Sequence, residues 1–269
     1  MLGLALLLGA LMVSPGVRAE PISERELRAA VSAAAQRLRT DSAYLESMVN
    51  RGWQGLLDEQ QLPLVAGMVR DVMAHEAMQA YLVNVLRPLV TDATTREMVT
   101  ATMAEAMSAL QVKGMRRLGT DQQAAFVRFT YDWAGWAPPK VCKAAFTGQL
   151  NTMQSMVLER RYAMTLPSQK FESYIALYKA ATMAELDDYP SPRTVNSVQM
   201  RAAERAFTQA FLERTASLPA GVLERVIEAP DQVAAEDACS YFREALAAVL
   251  SLDEPYRSWQ LVRFMADLD

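Results

Sequence analysis

Apolar residues in this chain recur every three or four positions almost from end to end, and almost nowhere do they alternate with period two. That spacing lines one face of a helix and cannot line one face of a strand. The sequence therefore predicts an all-α fold, a single compact multi-helix bundle of about ten to eleven helices. Ser23 and Glu26 form a capping-box pair ahead of Leu27, Ala30, Val31 and Ala34, which opens the first helix. A second runs from Thr40-Asp41 to Gly52. A third is expected unbroken from Leu64 to Arg87, where Pro88 removes a backbone donor. Asp92 is the expected cap of a fourth, loosened near Gly114 and closed by Gly119, and Thr120 or Asp121 opens a fifth that reaches Trp133.

Gly135-Trp136-Ala137-Pro138-Pro139 then forces a turn, and a sixth helix is expected from Pro139 to Tyr162. Pro167-Ser168 begins a seventh. Asp187-Asp188-Tyr189-Pro190-Ser191-Pro192 sets two prolines and two acids in six residues, which no helix accommodates; residues 187–194 are the candidate subdomain boundary. Four further helices are expected between Val195 and Leu268.

The chain opens with Leu2 to Val13, an uncharged apolar run, followed by Ser14-Pro15-Gly16 and Val17-Arg18-Ala19. This order matches a secretory signal peptide at residues 1–19, cleaved after Ala19, although only the α-amino group stands where a basic segment is usual. A membrane-spanning helix needs roughly 20 apolar residues, so the run is too short to be one. Residues 20–269 are then an exported helical domain without a membrane span, and the high Arg-to-Lys ratio and abundant Ala lean the destination toward a bacterial periplasm. With 51% apolar and 22% charged residues the domain has enough material for a core of its own. The net charge of −4 and the absence of a basic run argue against nucleic acid and against an acidic lipid surface as partners.

Cys142 and Cys239 are the only cysteines. In an oxidising compartment an even count favours pairing, and closing a loop of about a hundred residues is worth about 4.7 kcal/mol in the chain-entropy model. Two free buried thiols are the alternative. A metal or redox site is disfavoured by the lack of a CxxC spacing or a nearby His.

His75 is the only histidine, and Gln79 stands where a zinc protease would need the second one, so the HExxH pattern fails. If the third helix is continuous, Glu76 shares a face with Val65, Val69, Val72 and Val83. A carboxylate so placed is either paired with an arginine or raised in pKa, and the second case makes a general acid; Glu76 is the one weak catalytic candidate. No metal ligand set and no cofactor motif is apparent. Phe126, Phe129 and Trp133 follow helical spacing and read as core, with Tyr131 and Trp136 on other faces. Trp136 on a turn, together with Tyr131, is the binding candidate, since a large exposed aromatic is a common anchor for a partner.

These features favour an exported, non-enzymatic helical protein that binds another protein in the cell envelope, in an inhibitor, immunity or assembly role. The alternative is a helical envelope hydrolase acting on peptidoglycan with a buried carboxylate as general acid, which needs that acid at the floor of a cleft.

Overall fold

The computed structural model describes residues 23–89, 96–216, 218–219 and 221–267. The export segment expected at residues 1–19 and the expected cap at Asp92 lie outside them. Among the described residues there are thirteen α-helices, two short 3-10 turns and no strand. They are α1 (Glu24–Thr40), α2 (Ser42–Gly52), α3 (Gln61–Ala74), α4 (Glu76–Leu86), α5 (Arg96–Met115), α6 (Thr120–Trp136), α7 (Pro139–Phe146), α8 (Thr152–Ala163), α9 (Ser168–Leu186), α10 (Ser197–Thr215), α11 (Val222–Glu228), α12 (Ala235–Ser251) and α13 (Tyr256–Ala266).

The count exceeds the sequence expectation because two of the expected helices are each divided. His75 adopts extended backbone angles, φ −70° and ψ 128°, so it closes α3 and opens α4. The expected helix over 139–162 is interrupted at Thr147–Asn151, where Gly148 takes a positive φ of 70° that L side chains rarely adopt. Helix α5 ends at Met115, one residue past Gly114 and short of the expected close at Gly119. At the start of α1 the capping box forms as its residues require: the Ser23 backbone N–H donates to Glu26 Oε2 at 2.8 Å, and the Glu26 N–H donates back to Ser23 Oγ at 3.3 Å.

The described residues fall into two compact units, each built from two separated stretches of chain. The first holds the residues up to Gly114 together with Ala163–Pro190. Within it α1 packs on α2, α3 and α4, and α3 packs on α9. Its core draws Leu38 from α1, Leu45 and Met48 from α2, Met78, Leu82 and Leu86 from α4, Met103 and Met107 from α5, and Phe171 from α9, all essentially without solvent contact. Each such side chain contributes about 1.5–3 kcal/mol on removal from water. Trp53 meets Phe171 edge-on, with ring centroids 6.1 Å apart.

The second unit holds Met115–Tyr162 and Ser191–Asp269. Helix α12 is its axis, in contact with α6, α7, α10, α11 and α13. Cys142 on α7 and Cys239 on α12 stand at disulfide distance, with sulfurs 2.03 Å and α-carbons 5.6 Å apart. Both lie in this one unit, on the same side of the division. Around the pair, the Lys143 ammonium donates to the carbonyls of Asp231 and Val233, each at 2.7 Å, which fastens α7 to the segment that leads into α12. The Arg116 guanidinium donates to the carbonyls of Met265 and Ala266 at the end of α13, satisfying acceptors a helix terminus leaves open. Arg193, in the stretch between α9 and α10, donates to Thr120 Oγ1 and to the side-chain oxygen of the fully buried Gln123.

Candidate functional site

Helix α6 ends for a local reason. Ala137 precedes Pro138, which disfavours helical angles in the residue before it, and Ala137 is extended at ψ 141°. Trp136 is therefore the last helical residue of α6, a turn further on than the expected end at Trp133, and it is held between a rigid helix and two prolines. It is 40% exposed, the largest solvent-facing aromatic of the second unit. Its ring leans on Tyr162 of α8 at 5.5 Å between centroids, and Tyr162 in turn meets Phe129 at 5.1 Å. Phe129 and Trp136 are seven residues apart on one face of α6, so Tyr162 bridges a two-turn aromatic stripe. Burial pushes the Tyr162 phenol above its ordinary value, and the nearby Asp132 charge adds to the shift. Trp133 faces the interior, and its Nε1 is buried without a hydrogen-bond partner among the described residues.

Tyr131 stands on a different face of α6, about 140° round the helix from Trp136. The Arg243 guanidinium of α12 lies over its ring, 4.8 Å from the centroid. From there the same guanidinium reaches Gly135, one turn along, where a β-carbon would stand 3.2 Å from Arg243 Cζ. The missing side chain at Gly135 is what lets the planar group lie flat on the helix. Arg243 Nε is buried and has no hydrogen-bond acceptor, and among the described residues no carboxylate comes within ion-pair distance of this side chain. Tyr162 thus packs with Phe129 and Trp136 on one face of α6, and Arg243 with Tyr131 and Gly135 on another. The sequence pointed to Trp136 and Tyr131. Tyr162 and Arg243 escaped it, because nothing in linear spacing ties α8 or α12 to α6.

In the first unit, His75 Nε2 lies 2.8 Å from Asp187 Oδ1, at the end of α9, while Nδ1 is buried without a partner. Glu76 is the first residue of α4 and is exposed to solvent. The break at His75 removes the helical phase that would have set Glu76 beside Val65, Val69 and Val72. An enclosed apolar space in this unit is walled by Met48, Trp53, Val69, Met73, Met78 and Met107 among others, and Glu76 has no part in its wall. About 20 Å³ of it is open to the centre of a water molecule, yet a water inside would lack the two to four polar partners it needs.

Among the described residues no group of three or more His, Cys, Asp or Glu side chains is placed to hold a metal ion, and no helix is long and apolar enough to cross a membrane. No family model, no curated protein and no solved structure matches the chain.

Proposed function

We propose that the chain is an exported helical protein that binds another protein in the bacterial cell envelope through the surface centred on Trp136. The observation that carries this reading is the placement of Trp136, half exposed yet fixed by Tyr162, the end of α6 and Pro138. A rigid aromatic loses little conformational entropy on binding and offers a large area for burial, which is why Trp and Tyr dominate the energetics of protein interfaces. Export rests on the apolar run of residues 2–13 and the small residue at 19. An inhibitor, an immunity protein and an assembly factor would all use such a surface.

Site-directed photo-crosslinking in the native host tests the proposal. A benzophenone amino acid at the exposed Lys140, in the first turn of α7, should give one discrete adduct with a periplasmic protein, and the same probe at Gln36 in α1 should not. Trp136→Ala should abolish the adduct without changing the melting temperature by more than a few degrees. A cytosolic, uncleaved chain, or an adduct indifferent to Trp136→Ala, would sink it.

A further inference from the structure

The apolar cavity of the first unit is walled from five helices, α2, α3, α4, α5 and α9, and every residue of its wall is buried. It is an interior space and not a surface cleft. Five of the wall residues are methionines: Met48 from α2, Met68 and Met73 from α3, Met78 from α4 and Met107 from α5. The hydroxyl that α9 contributes, that of Thr182, donates to the Tyr178 carbonyl at 2.8 Å. Its one proton is already used.

Protein interiors pack as densely as organic crystals, and an unfilled space forfeits the dispersion contacts of the atoms around it. Water does not recover that loss in an apolar chamber, whereas an apolar guest needs no polar partner and restores the contacts. A volume of about 20 Å³ is open to the centre of a water-sized sphere, so the space is larger than one water molecule and suits a xenon atom. The wall decides how far it can grow. Valine is stiff at its first torsion, but methionine is unbranched, has three rotatable bonds and fills irregular gaps. Rotamer changes in five such side chains widen the chamber without moving a helix. Thioether sulfurs also make favourable contacts with aromatic rings, which ranks a flat ring first among guests of that size.

We propose that this cavity is a binding site for a small uncharged apolar molecule, an aromatic ring above all, admitted by movement of the methionine side chains. The test uses the full chain with isotopically labelled methionine methyls. Xenon should shift the methyl signals of Met48, Met73, Met78 and Met107 saturably and leave that of Met265, equally buried but in the second unit, in place. Benzene should do the same and raise the melting temperature as its concentration rises. Pyrimidine has the same shape but two ring nitrogens to strip of water, and should bind at least tenfold more weakly. Val69→Leu, and separately Val72→Ile, each put one further methylene toward the space; they should weaken xenon binding at least fivefold with the melting temperature unchanged or raised. No saturable xenon shift, a shift indifferent to both substitutions, or a melting temperature lowered by both would overturn the assignment. Xenon binding without benzene binding would mark a rigid packing void only and overturn it too, as would equal affinity for benzene and pyrimidine.

Discussion

Gly114 of α5 lies directly against the backbone of Ala181 in α9: a β-carbon on Gly114 would overlap the Ala181 carbonyl oxygen and stand 2.5 Å from its carbon. The obstacle is main chain inside a helix, which cannot swing aside as a side chain can. Gly114→Ala gains about 1 kcal/mol in helix propensity but must separate the two helices, and overpacking of this kind costs about 1–3 kcal/mol or more. The variant should be less stable by about 2 kcal/mol in urea denaturation followed by circular dichroism. A variant as stable as the parent would show that the two helices do not approach this closely.

Cys142 and Cys239 are separated by 97 residues, so a bond between them removes much of the freedom of the unfolded chain. The purified protein should contain no titratable thiol. Adding a reductant, or making the Cys142→Ala and Cys239→Ala double substitution, should lower stability by about 4 kcal/mol. Ellman titration under denaturing conditions, with urea melts beside it, reads both halves of this expectation.

Gly135→Ala tests how closely Arg243 packs on α6. The new methyl would meet the Arg243 guanidinium at 3.2 Å, a contact that a flexible side chain relieves by moving a few tenths of an ångström. Stability should hold or rise by up to about 1 kcal/mol from helix propensity. The ring-current shift that Tyr131 imposes on the Arg243 guanidinium protons should shrink at the same time. A loss of stability would mean that Arg243 is locked in place more firmly than its contacts indicate.

Tyr81, Tyr162 and Tyr241 contribute to the alkaline limit of stability. Burial raises the pKa of Tyr81, Tyr162 and Tyr241, with the Glu185 charge adding at Tyr81 and the Asp132 charge adding at Tyr162. Their folded pKa values lie above the unfolded value of about 10, so the unfolded chain gives up these protons first as pH rises. Their contribution is fully present below pH about 10 and declines as pH climbs through the folded values. Unfolding free energy should fall as pH rises above about 10, and tyrosinate absorbance should rise in step with unfolding. Tyr81→Phe should make the fall shallower, after allowance for the lost hydrogen bond from the Tyr81 hydroxyl to the Ala106 carbonyl. A stability that stays flat as pH rises above about 10 would refute the assignment.

The helical class and most helix starts were legible because they depend on neighbours in sequence. Ser23 and Glu26 are three residues apart, and Leu27, Val31 and Leu38 share a face whatever surrounds them. The break at His75 was not legible, since Met73-Ala74-His75-Glu76-Ala77 contains no glycine or proline; it coincides with a contact to Asp187, 112 residues on. The close approach at Gly114 was not legible either. A glycine in a helical pattern signals weakness to a local reading, and only the carbonyl of Ala181 reveals that it permits close approach. At the candidate surface, the proline pair located Trp136 to within a turn, whereas Arg243 depends on how α12 lies across α6. Local rules place side chains on helices, and only long-range packing decides which of them meet.

Phe171 and Ile175, which fill the middle of the first unit, belong to the stretch that returns after the chain has left for the second. On a ribosome or a translocation channel, where the polypeptide emerges from its amino end, the early helices of that unit must wait with their apolar faces uncovered until position 190 is out. By then residues 115–162 are already free and lack the mates they need from beyond 191. No single cut in the gene yields either half whole, and a host that makes this protein has to shelter the waiting segments from one another and from aggregation for most of its synthesis.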